Sequence, residues 1–199
     1  MVDITPTPAD LKINPRNLRF HQDGGMPDRW WLNGDPVATA FFNALSCTFP
    51  KGEKFFMDSV RHYRGAVGPE LQQQIAAFIA QEAVHSREHV TFNKLASDHG
   101  YPVDILEART GHVLRAVRQR SPVRQLAATC ALEHFTAILA HQFLKSGASD
   151  LAGAPKETVK LWSWHAMEEI EHKSVTFDTF LSVTKHMSRP DATRCGYWQ

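Results

Sequence analysis

The sequence predicts an all-α protein: a four-helix bundle with an additional connecting helix and an irregular N-terminal arm. Three observations carry that reading. Beyond residue 35 apolar side chains recur at helical spacing, and no stretch alternates with the period of a strand. The long periodic segments open on proline and close on glycine. A chain of 199 residues, 43% hydrophobic and 22% charged, suits one domain with a substantial core.

The elements follow in order. Residues 1–35 hold Pro6, Pro8, Pro15, Pro27 and Gly24-Gly25, a composition for an irregular arm draped over the domain. Residues 36–67 read as a first helix, disturbed around Pro50 and Gly52. The second, 69–100, runs from Pro69 to Gly100, and a shorter connecting helix occupies 102–120. Ser121-Pro122 opens the third, which closes at Gly147, and the last spans roughly residues 155–187 with Pro190 beyond it. The bundle domain is therefore placed at 36–188. The remaining 189–199 lack a capping element and read as a tail, cut short or disordered.

Composition narrows the function. A net charge of +1 gives no global attraction for nucleic acid or acidic membranes. The cluster Arg115, Arg118, Arg120 and Arg124 fits a solvated helix end. Cys47, Cys130 and Cys195 are odd in number and outside any zinc spacing, which points to a reducing compartment. With no signal-peptide pattern and no bilayer-length apolar run, the expectation is a cytoplasmic protein. Eleven histidines are the one unusual count.

Their placement matters more than their number. At about 100° per residue, Glu169 and His172 lie within about 40° of His165, on the face that carries Leu161, Trp162, Val175 and Thr176. Glu168 falls on the shoulder of that face, and Glu171 points to solvent. On the second helix Glu82, His85 and His89 continue a face begun by Ile75 and Phe78, with Glu88 pointing away. Glu133 lines up with Leu126, Cys130, Ala137 and Ala140, and Glu53 with Phe49, Phe56, Met57 and Val60. Four helices thus offer an inward glutamate, and two add a histidine three residues on, in "EAVH" at 82–85 and "EIEH" at 169–172. One Glu-x-x-His alone is a common surface pattern, and one buried histidine or glutamate has ordinary partners. Four unpaired buried carboxylates are hard to tolerate without cations. Glutamate from two helices plus Glu-x-x-His from two others can hold two metal ions. The ligand set is Glu53, Glu82, His85, Glu133, Glu169 and His172. His62, His99, His112 and His186 read as surface residues, and His134 and His141 fall off the Glu133 stripe.

These residues resemble the ferritin-like di-iron superfamily over roughly 36–187. The fuller pattern "FPKGEKFF", "QEAVHSREH", "LEHFTA" and "WHAMEEIEHK" is similar to a bacterial family called predicted metal-dependent hydrolases, which usually continues beyond the point where this chain stops. The spacing His165, Glu169, His172 also resembles the last metal helix of di-iron N-oxygenases that act on p-aminobenzoate. That resemblance implies His165 as a seventh ligand. His89 departs from it, and with Glu168 stands as an additional ligand or an outer partner.

Carboxylate and imidazole donors without thiolate suit iron, with manganese or zinc as alternatives. The first expectation is an O2-activating oxidoreductase or oxygenase acting on a small organic substrate, supplied by an electron donor. The alternative is a hydrolase using a metal-bridged hydroxide. Third is non-catalytic metal binding. Phe56, Phe135, Trp162 and Trp164 are the aromatics near the ligands that could line a substrate pocket, although such residues are more often plain core, and a homodimer is the assembly considered. No nucleophile triad, phosphate loop or dinucleotide fingerprint competes.

Overall fold

The computed structural model describes residues 13–22, 28–147 and 149–185. Among them are the α-helices α1 (Pro36–Arg61), α2 (Pro69–Asp98), α3 (Val103–Arg118), α4 (Pro122–Lys145) and α5 (Lys156–Thr184), two short 3-10 turns and no strand. Proline occupies the first turn of α1, α2 and α4, where its missing N–H costs nothing. The Asp35 carboxylate accepts from the backbone of Val37 and Ala38 and caps α1. His186, Cys195 and the tail lie outside the described residues.

Side-chain pairs fix the directions. Ser46 meets Asn93 and Glu53 meets Ser86, so α2 runs antiparallel to α1. His85 meets Glu168 while Gln81 meets His172, so α5 runs antiparallel to α2. Cys130 meets Thr176 and Glu133 faces His172, which sets α4 antiparallel to α5 and aligns it with α2. Two successive bundle helices that point the same way need a crossover as long as the bundle. At 1.5 Å per residue, α3 supplies about 24 Å of it. It lies on α1 through Lys51 to the Glu107 carbonyl and Arg118 to Asp58.

The expected break at Pro50 is absent, and α1 is continuous from Pro36 to Arg61. Proline cannot donate to the Ser46 carbonyl one turn back. That carbonyl instead accepts from the Asn93 side-chain amide of α2, at 3.3 Å. A neighbouring helix thus supplies the bond that proline removes. The first helix does end earlier than expected, at Arg61, and residues 64–66 form a 3-10 turn.

Two apolar clusters fill the bundle. Phe20, Trp31, Phe42, Phe92, Leu161 and Trp162 belong to one, and Phe55, Val60, Ile75, Phe78, Leu126 and Val175 to the other. Burial of such side chains supplies the main stabilisation, at roughly 1.5–3 kcal/mol each. Between the clusters lies a belt of buried glutamates and histidines. The described parts of the arm, residues 13–22 and 28–35, pack on the helices, with Phe20, Trp31 and Leu32 all buried. No helix among the described residues is long and apolar enough to cross a membrane.

Candidate metal centre

The phase argument brings the seven inward residues together. Glu53, Glu82, His85, Glu133, His165, Glu169 and His172 are all at most 5% exposed. Ligand atoms of Glu82, His85, Glu169 and His172 lie within 4.8 Å of one another, as do those of Glu53, His85 and His165. His85 belongs to both groups. Glu133 stands at the margin, with Oε2 3.8 Å from His172 Nδ1. Glu82 faces two imidazoles, Oε1 lying 3.3 Å from His172 Nδ1 and Oε2 3.6 Å from His85 Nδ1. Glu169 Oε1 is central, 3.0 Å from His165 Nε2, 3.5 Å from His172 Nδ1 and 3.6 Å from His85 Nδ1.

Buried polar atoms normally find hydrogen-bond partners. Here both oxygens of Glu82 and of Glu133, one of Glu53, and Nδ1 of His85 and His172 have none. They converge on one centre, which is the arrangement that cations would complete.

The other side of each ring is occupied. His85 Nε2 lies 3.0 Å from Glu168 Oε2, and because a carboxylate only accepts, Nε2 carries a proton, so that in the neutral ring the Nδ1 lone pair faces inward. His172 Nε2 donates likewise to Gln81 Oε1 at 3.0 Å. His165 is fixed through a longer chain. The Ser46 hydroxyl donates to Asn93 Oδ1 at 2.6 Å, so it accepts from His89 Nδ1 at 2.8 Å. His89 Nε2 then accepts from His165 Nδ1 at 2.6 Å, and the His165 Nε2 lone pair faces Glu169 and Glu53. Outward donors that orient ligand imidazoles are the usual surroundings of a metal site.

Electrostatics divides the groups. Burial, with Glu82 beside them, pushes Glu53 and Glu133 well above the usual carboxylate range. Burial also acts on Glu82 and Glu169, but neighbouring histidines outweigh it and hold both low. For His85, burial is outweighed by the hydrogen bond to Glu168 and the negative charge of the nearby Glu82, which raise it to about 9. His172 rises well above its ordinary value as Glu82 and Glu169 overcome its burial. Burial and the charge on His85 lower His165, while burial and His165 lower His89 further, so both stay neutral. Taken by themselves, the protein groups therefore keep protons where cations would otherwise sit.

The two remaining candidates do not face the centre. Glu168 is fully buried, with Oε1 accepting from Arg16 and Trp164 and Oε2 from His85. His89 is occupied at both nitrogens. Both hydrogen-bond candidate ligand histidines, Glu168 to His85 and His89 to His165. Two residues expected at solvent are elsewhere. Glu88 is 3% exposed and accepts from the Phe20 backbone and Arg87. Glu171 is half-buried, bridging Arg16 and Gln81. In each case the arm, which a helical wheel does not contain, covers that face. Of the other surface histidines, His62 and His112 are exposed and His99 is half-buried.

A cavity of about 610 Å³ reaches the centre between α1, α4 and α5, ending on His165 and Glu169. Trp162 lines it. Phe56 and Trp164 are instead buried core, and Phe135 lies on the outer face of α4 at 63% exposure. Sequence reasoning missed Arg16, Ser46, Gln81, Ser86 and Asn93. Gln81, Ser86 and Asn93 share the inward side of α2 with the ligands, and their polarity beside phenylalanines was the available signal.

No curated protein and no solved structure matches this chain. A family match covers residues 14–196, which takes in the later part of the arm and every described helix. The chain belongs to the family described as predicted metal-dependent hydrolase.

Proposed function

We propose that Glu53, Glu82, His85, Glu133, His165, Glu169 and His172 hold two divalent ions, and that the chain is a hydrolase acting on an uncharged carboxylic ester or amide. The observation that carries the metal reading is the set of partnerless buried oxygens and inward lone pairs meeting at one point. Glu53, His85 and His165 gather on one side and Glu133 and His172 on the other, with Glu82 and Glu169 between them. Two ions there would supply Lewis acidity for a carbonyl and acidify a water molecule. The chain's own part is to orient and to exclude. Glu168, Gln81 and His89 hold the rings, and the apolar cavity wall keeps bulk water away. Among the cavity's lining residues there is no lysine or arginine, which disfavours phosphate esters and favours a neutral carbonyl substrate.

One observation favours a second reading, O2-dependent oxidation by an iron pair in a ferritin-like bundle. Glutamate and Glu-x-x-His donors on four helices joined by one crossover are the ligand arithmetic of di-iron and di-manganese bundles. An external electron donor would then be required.

The two readings separate on loading. Zinc-loaded protein is expected to cleave p-nitrophenyl carboxylic esters in argon as well as in air, and Glu133→Gln to abolish the cleavage. Absence of ester turnover with either metal, together with reductant-dependent oxygen uptake by the ferrous form, would replace hydrolysis with oxidation.

A further inference from the structure

The cavity between α1, α4 and α5 is long. Its α1 wall carries Asp35, Ala38, Phe42, Leu45 and Phe49, one helical stripe that spans about 20 Å at 1.5 Å per residue. The facing walls are Ala140 and Phe143 of α4 and Trp162 and Ala166 of α5. Its volume of about 610 Å³ lies within the range of ligand sites. The two ends differ. The inner end stops at His165 and Glu169, which at 3% and 5% are the most exposed of the seven centre residues. At the outer end stand Asp35 and Asp150, both exposed, with Val37 and Phe41 at 78% and 58%. Small residues at 38, 140 and 166 leave the space that larger side chains would fill.

We propose that this trough binds a single aliphatic chain, with its carbonyl or carboxyl end at His165 and Glu169 and its apolar tail running out along α1. Apolar walls bind methylenes, and they leave a second charged group without a partner. The acidic pair at the outer end repels a second carboxylate, so the tail is uncharged. The substrate class is therefore the fatty acyl group. The reactive end rests on the metal reading given above, whereas the tail does not.

Calorimetric titration of chelator-stripped protein with hexanol, octanol, decanol and dodecanol tests the trough without the metals. Affinity is expected to rise roughly three- to fourfold per added methylene until the trough is full. Ala38→Trp, near the outer end, should move the levelling point to shorter alcohols and leave hexanol unchanged. Phe41→Ser, on an exposed rim position, should weaken dodecanol and spare hexanol, which keeps the test open if the tryptophan variant folds poorly. Flat affinities along the series, or variants that weaken every alcohol alike, would overturn the proposal. In metal-loaded protein, dodecanoate should bind more tightly than dodecanol, and the corresponding dicarboxylate more weakly than dodecanoate. Methylene increments with no metal-dependent preference for dodecanoate keep the trough and remove the metal centre. A metal-dependent preference without increments keeps the centre and removes the trough.

Discussion

An imidazole can take up an ion only with a lone pair turned inward, and what its other nitrogen does decides that. His89 touches neither group of converging ligand atoms, yet it sets the tautomer of His165 through Ser46 and Asn93. His89→Phe is expected to lower metal affinity roughly 10- to 100-fold with the fold retained, measured by competition with a chromogenic chelator. Wild-type affinity in that variant would show that the chain of hydrogen bonds does not matter. Glu133→Ala should take the metal content from about two ions towards about one, read by elemental analysis. Glu157→Ala, in the first turn of α5 and paired with Lys160, should leave it alone. Equal loss in both would mean that α4 does not present Glu133 to the ions. Among single residues, the inward glutamates and histidines were legible because 100° steps place them on apolar faces. Glu88 and Glu171 were not. Their burial depends on Arg16 and Phe20 of the arm, contacts between distant parts of the chain that no helical phase encodes.

At the scale of elements, the arm is part of the centre's support. Arg16 bonds Glu168 at 2.7 Å and Glu171 at 3.0 Å, and Glu168 in turn holds His85. Arg16→Met would leave Glu168 buried with one partner fewer. Because Arg16 is 30% exposed, a loss of roughly 1–2 kcal/mol is expected rather than that of a fully buried pair. Urea unfolding measures it, and limited proteolysis should cut the arm of the variant first. An unchanged midpoint and cleavage pattern would mean that the arm is held by its apolar residues alone. The helix order, the connecting helix and the glycine and proline boundaries could all be read in advance, since each rests on local chemistry. The uninterrupted course of α1 through Pro50 could not. It depends on Asn93, a residue of another helix, reaching the carbonyl that proline leaves free.

For the whole molecule, the protons of the centre make stability depend on pH and on metal together. In the stripped protein His85 and His172 keep protons above the ordinary histidine value of 6.5, His85 up to about 9, where the unfolded chain has lost them. Glu53 and Glu133, raised above 4.5, act in the same sense. The folded state then binds more protons than the unfolded state, so stability falls as pH rises from 6.5 to 9. Ions bound at the proposed site would displace those protons, and metal-loaded protein should gain stability across the same window. Melting temperatures at both pH values, with and without chelator, decide it, and a stripped protein more stable at pH 9 would contradict the assignment. The placement of the ligands also has a kinetic meaning. The centre draws on α1, α2, α4 and α5, and its residues run from Glu53 to His172, so no partial bundle contains it. Contacts that form last slow unfolding and leave the folding rate nearly untouched. In a chevron plot, added metal should therefore lower the unfolding limb and leave the folding limb in place. The ions would act as a lock on the finished bundle, one that closes only after all four helices have met.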